Sequence, residues 1–195
     1  MKGLILSLCD ITGNWSRPYL EAGYEVVTVD TRSGQDVRLM RRPAGRVHGI
    51  LAAPPCTHLA RSGALHWAAK GDGAILEAMS VVDACLRLVA VCRPEWWALE
   101  NPEGRIRDYL GEPAFKFDPC QFGVDEPWTK RTLLWGHFTP PLPLFAPTAR
   151  ISTRPLAFGT KPGSRDRTTV LGSRNREARS ATPIGFAKAF FEANK

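Results

Sequence analysis

Four short apolar runs, each closing on a polar or reactive residue, constrain this chain more than any other feature. Residues 4–9 stop at Asp10, Tyr24 to Val29 stop at Asp30, Val47 to Ala53 stop at Pro54-Pro55-Cys56, and Trp96 to Leu99 run into Glu100-Asn101-Pro102. Such runs, bounded by turn-forming residues, read as buried strands. A helix is expected from Trp15 to Ala22, ended by Gly23, and a longer one over 73–92, where Ile75, Met79, Val82, Leu86 and Val89 recur at three and four residues. Strands alternating with helices predict an α/β fold, a Rossmann-like, mostly parallel sheet flanked by helices. The carboxyl ends of parallel strands share one edge, the edge where such sheets bind ligands, so Asp10, Asp30, Cys56 and Glu100 are expected along one rim.

With 195 residues and 44% hydrophobic content, the chain can build one sizeable core but not comfortably two. Residues 1–138 are therefore read as a single core. Its carriage of +7 formal charge draws polyanions, with nucleic acid as the leading partner; anionic membranes and plain solubility fit the same number. The cysteines at 9, 56, 85, 92 and 120 are odd in number and form no CxxC pair, which suits a reducing, cytoplasmic compartment better than secretion. Cys85 and Cys92 read as core thiols. Neither they nor His48, His58, His66 and His137 show a metal-ligand spacing, so no metal is expected. The apolar start meets Asp10 too early for a signal peptide, and no run reaches transmembrane length, so no membrane partner is expected.

Further along, residues 117–121 look irregular and Arg131 to Trp135 looks like a strand. Residues 139–180 change character: Pro, Thr and Phe come first, then Arg165, Arg167, Arg174, Arg176 and Arg179 among polar residues. This insertion reads either as a weakly ordered loop or as a segment that orders over a phosphate backbone, whose attraction needs little preformed structure. Residues 181–195 hold a last helix, Pro183 to Ala193, whose Ile184, Phe186, Ala187, Phe190 and Phe191 return an apolar face to the core.

Cys56 carries the strongest chemical signal, because two prolines restrict the backbone that delivers it from a buried strand. A thiol at such a place is either structural or, with a lowered pKa, a nucleophile. Glu100 leaves an apolar strand toward the same rim, where a carboxyl can hydrogen-bond a heterocycle and steady its charge; a solvated or capping acid is the plain alternative. Cys120, in Asp118-Pro119-Cys120-Gln121, ranks below Cys56 because no buried strand precedes it. His58 is a phosphate contact or a local hydrogen-bonding group, and Trp15 and Trp67 line a base pocket or belong to the core.

In order and content these pieces resemble the DNA (cytosine-5) methyltransferase family, in the short form found in phage-like genomes. Pro54-Pro55-Cys56 resembles its nucleophile motif and Glu100-Asn101-Pro102 its Glu-Asn-Val motif, with Pro102 in place of valine. Leu8-Cys9-Asp10-Ile11-Thr12-Gly13 resembles the cofactor loop, reduced to one glycine. Thr129-Lys130-Arg131-Thr132 is similar to the basic strand motif, partly recovered, and Thr182-Pro183-Ile184-Gly185-Phe186-Ala187 to the closing cofactor-side motif.

The resemblance implies a class I methyltransferase fold that binds S-adenosylmethionine. It assigns catalysis to Cys56, Glu100 and Arg131, with Lys130 as a neighbour. Asp10, Gly13, Asp30, Asp36 and Pro54 fall on the cofactor side, Asp30 toward the ribose hydroxyls and Asp36 toward the adenine amine. The implied reaction is methylation of carbon 5 of cytosine in DNA through a covalent cysteine adduct, by a monomer or homodimer. The stretch between Gly136 and the last helix is too short for a large target recognition domain, which points to sequence selectivity that is short, relaxed or supplied by a partner, on DNA that is duplex or single-stranded. Two alternatives stay open: modification of a pyrimidine in RNA or a free nucleotide, and an inactive DNA-binding protein that keeps the fold.

Overall fold

The computed structural model describes residues 2–123, 129–144 and 180–195, so the arginines between 165 and 179 lie outside the described residues. Its strands are β1 (Leu4–Leu8), β2 (Glu25–Val29), β3 (Val47–Ala52), β4 (Trp96–Pro102), β5 (Phe115–Phe117) and β6 (Thr132–His137). Its helices are α1 (Arg17–Glu21), α2 (Trp67–Cys92), α3 (Arg107–Leu110) and α4 (Ile184–Ala193). The sheet runs β2-β1-β3-β4-β6-β5. The first four strands are parallel, and β6 is antiparallel to both β4 and β5. From β1 the chain moves outward to β2, then returns to place β3 on the other side of β1, so the strand order reverses there. Such a reversal opens a crevice at the carboxyl ends, where ligands of open α/β sheets sit.

Burial explains why β1 is unbroken by polar alternation: all five residues are buried, because helices cover both faces. On one face Leu4, Leu6, Leu8, Ile50, Ala52 and Leu99 pack with Val82, Cys85 and Leu88 of α2. On the other, Ile5, Leu51, Ala98 and Leu134 meet Trp15 before α1, Tyr19 within it, and Phe186 and Phe190 of α4. Phe186, Ala187 and Phe190 of the last helix join the core as expected, whereas Ile184, counted with them from the sequence, is exposed and Phe191 only partly buried. Trp15 is fully buried, edge-on to Phe190 at 5.5 Å, and so belongs to this core rather than to a base pocket.

Several element boundaries differ from the sequence reading. Helix α1 is only five residues long, with Trp15 in the loop before it. Helix α2 starts at Trp67 and kinks at Gly71, whose backbone (φ 65°, ψ −175°) is not helical. Gly71 and Gly73 interrupt the apolar spacing there, which hid the first turns. Strand β5 and α3 occupy stretches to which the sequence assigns no element, apart from Phe117 at the start of the irregular segment, being three and four residues long and too short for any period to show. Among the described residues, no helix is long and apolar enough to cross a membrane.

Candidate active site

Register brings the polar strand ends together. Leu8 lies beside Val29 on one side and Ala52 on the other, and Ala52 lies beside Leu99, so Asp10, Asp30, Cys56 and Glu100 all emerge on one rim. Strand β6 runs the opposite way and begins at this rim, where Thr132 pairs with Pro102. Lys130 and Arg131 therefore join the site. So does Asp118, immediately after β5.

The loop after β3 is tied to the loop after β4. Asn101, fully buried, donates from Nδ2 to the Pro54 carbonyl at 2.9 Å. Beyond it the two backbones meet as a short bridge between Ala60 and Gly104: Arg61 N donates to Glu103 O at 2.8 Å and Arg105 N to Leu59 O at 2.9 Å. Only glycine allows this approach, since a Cβ at position 104 would fall 2.0 Å from the Leu59 carbonyl oxygen. Cys56, half-buried, opens a turn in which its carbonyl accepts from Leu59 N and Ala60 N at 3.0 and 2.8 Å. The thiol-bearing turn is thus positioned by the same strand end that carries Glu100.

Of the two basic residues at the start of β6, Lys130 stands beside Glu100, with Nζ 3.9 Å from Oε1 and both side chains largely buried. Arg131 turns to Asp118 at 3.1 Å and is more than half exposed. Strand alternation explains the division. Leu134 is directly opposite Glu100 and cross-strand partners share a face, so positions 132 and 130 follow Glu100 while 131 and 133 take the other side.

At the β1 and β2 ends the rim carries Asp10, Asp30 and Asp36, the last two paired with Arg32 and Arg38, so the excess charge there is negative. Asp10 spends its buried carboxylate on its own loop, accepting from the Thr12 hydroxyl at 2.7 Å, Gly13 N at 3.1 Å and Trp15 N at 3.3 Å. Gly13 takes a left-handed conformation, φ 64°, with open space where a side chain would stand. Asp30 accepts Arg32 N on Oδ1 at 2.9 Å. Asp36 is gripped by Arg38, whose guanidinium hydrogen bonds hold its carboxyl below the usual carboxylate range. Beneath the loop, contact with the Cys9 thiol together with burial raises the Cys85 thiol well above its ordinary value.

At the β3, β4 and β6 ends Arg61, Lys70, Arg105, Lys130 and Arg131 outnumber Glu100, Glu103 and Asp118, which pair with Lys130, Arg61 and Arg131 respectively, so the excess charge there is positive. Sequence reading missed Arg105 and Asp118, whose partners are remote in the chain. Trp67, one of its candidates, lies under the Arg105 guanidinium at 4.7 Å. Among the described residues, no three of His, Cys, Asp and Glu come together as a metal-binding group.

No family model matches the chain, and no curated protein does. A solved structure that does match is a prophage-encoded E. coli protein provisionally named a DNA modification methyltransferase. It shares 18% identity at a TM-score of 0.48, over 69% of this chain and 46% of that one. The match thus spans less than half of that protein's length, and likeness at this distance carries no argument about activity.

Proposed function

We propose that this chain transfers a methyl group from S-adenosylmethionine to carbon 5 of cytosine in DNA. The observation that supports this most is the tie between the Cys56 turn and the Glu100 strand end, through Asn101 and the Ala60–Gly104 bridge, on the ligand rim of the sheet. A nucleophile and a group able to polarise a heterocycle then act on one ring from two fixed directions.

Cys56, as the thiolate, adds through Sγ to carbon 6 of cytosine, which makes carbon 5 electron-rich. Glu100 faces N3 and the exocyclic amine of the ring, and the Lys130 ammonium beside it balances the charge held there. Bound S-adenosylmethionine supplies an electrophilic methyl group. Loss of the carbon 5 proton and cleavage of the bond from sulfur to carbon 6 then free Cys56. A target base in duplex DNA has to leave the stack first, at a cost of a few kcal/mol.

The polarity of the rim fits both ligands. Its acidic half favours a sulfonium cation, with Asp30 placed for ribose hydroxyls and Asp36 for an adenine amine in competition with Arg38. Asp10 shapes the loop that Gly13 turns, and Pro54 walls the cleft on the β3 side. Its basic half favours a polyanion.

The decisive experiment incubates the protein with labelled S-adenosylmethionine and, in parallel, duplex DNA, single-stranded DNA, RNA and dCMP. Label should enter DNA. DNA containing 5-fluorocytosine should then trap an adduct that maps to Cys56, and Cys56→Ser should trap little. Label in no acceptor, an adduct on Cys120, or full trapping by Cys56→Ser overturns the proposal.

A further inference from the structure

We propose that Arg105, set against the indole of Trp67, holds a phosphate of the nucleic-acid strand next to the Cys56 turn. This rests on the reading above only in taking the substrate to be a polynucleotide. Arg105 follows the β4 end and is fixed in three ways: its backbone N donates to Leu59 O at 2.9 Å, its Nε donates to His58 O at 2.8 Å, and its guanidinium lies 4.7 Å from the Trp67 ring centroid. A planar guanidinium seated on an aromatic face loses little freedom on gripping an anion, because its orientation is already set.

Three buried polar atoms in this group have no hydrogen-bond partner among the described residues: Arg105 Nη2, Trp67 Nε1 and His58 Nδ1. Two of them can only donate, and the histidine nitrogen donates in one tautomer. A buried donor left unpaired is costly, so three on Arg105 and the two residues it touches mark a place that an acceptor would stabilise. Among the described residues, no carboxylate is paired with the Arg105 guanidinium. Lys70 adds a further cation here, its Nζ donating to Thr57 O at 3.1 Å. A donor-only set with net positive charge selects an oxyanion. In a strand whose base enters the Cys56 site, the nearest oxyanion is a backbone phosphate.

The test measures binding of single-stranded dodecadeoxycytidylate without S-adenosylmethionine across a salt series, by fluorescence anisotropy. Arg105→Gln should bind about 10-fold more weakly at low salt, and its slope of log affinity against log salt should be shallower by about 0.7, the value of one phosphate on a single strand. Arg105→Lys keeps the charge but not the plane, so it should restore the slope while binding about threefold or more below wild type. Thermal melts identify folded variants, and if Arg105→Gln does not fold, Arg105→Lys alone decides. Wild-type slope in folded Arg105→Gln, or wild-type affinity in Arg105→Lys, overturns the inference. Failure of the wild type to bind any strand overturns it together with the proposed reaction. Binding without methyl transfer removes the reaction and leaves the phosphate site standing.

Discussion

Replacing Gly104 with alanine tests whether contact between two loops sets the chemistry. The new Cβ would fall 2.0 Å from the Leu59 carbonyl oxygen, where real Cβ contacts essentially never come under 3.0 Å, and the obstacle is backbone rather than a flexible side-chain tip. The loops must part by about 1 Å, enough to break the bonds from Arg61 N to Glu103 O and from Arg105 N to Leu59 O, now 2.8 and 2.9 Å long. Losing both costs about 1–3 kcal/mol, and each kcal/mol lowers the melting temperature of a chain this size by roughly 2–4 °C.

The same shift of about 1 Å would carry the Cys56 turn away from Glu100, and a displacement of that size costs about 100-fold in a positioned reaction. Calorimetric melting and the rate of adduct formation on 5-fluorocytosine DNA measure the two effects separately. Gly63→Ala is the control, because its Cβ would stand 3.8 Å from Thr57 O in ordinary contact; it should change neither. A Gly104→Ala protein that forms adduct at the wild-type rate would refute the claim that the bridge sets the geometry. That holds even if its melting temperature falls.

Phe186→Ala should cost about 3–5 kcal/mol in urea denaturation, since Phe186 is fully buried and stacks on Phe117 at 4.0 Å; a loss under about 1 kcal/mol would mean that α4 contributes little to the core. The Asp36 carboxyl has its folded pKa depressed by Arg38, so its contribution is present above the unfolded value near 4 and is lost as pH falls through the folded value. The pair is screened by solvent and its contribution is small, and Asp36→Asn should remove that part of the acid-induced fall in urea midpoint; identical pH profiles would contradict it. Lys130→Met should slow adduct formation about 10-fold or more while Arg131→Ala slows it less than about threefold, and the reverse order would return the catalytic cation to Arg131.

The parallel half of the sheet was legible because its strands are buried on both faces. Continuous apolar runs such as Leu4–Leu8 and Val47–Ala52 have few other ways to fold, and their ends mark the rim without any knowledge of strand order. That logic fails for Phe115–Phe117, which is too short to show a period and becomes a strand only because β6 supplies hydrogen bonds. It also fails at the start of α2, where the non-helical Gly71 separates a first turn beginning at Trp67 from the periodic run that follows. The bridge at Gly104 was invisible for another reason: a close backbone approach leaves one glycine in the sequence and no sign of its partner.

Lys130 and Arg131 show the limit most sharply. They are adjacent cations at the mouth of one strand, and nothing in residue type separates their access to Glu100. The choice depends on the phase of β6, which is set where Leu134 pairs with Glu100 and Leu133 with Asn101. Slipping that pairing by one residue would turn Arg131 toward Glu100 and Leu134 out of the face it shares with Ile5, Ala98 and Phe186. The identity of the cation beside Glu100 is therefore held by leucine packing two turns of the pleat away. A variant that weakens Leu134 burial should blur the difference between Lys130→Met and Arg131→Ala. Leu134→Thr, which keeps β propensity while reducing apolar burial, is the substitution in which to look for it.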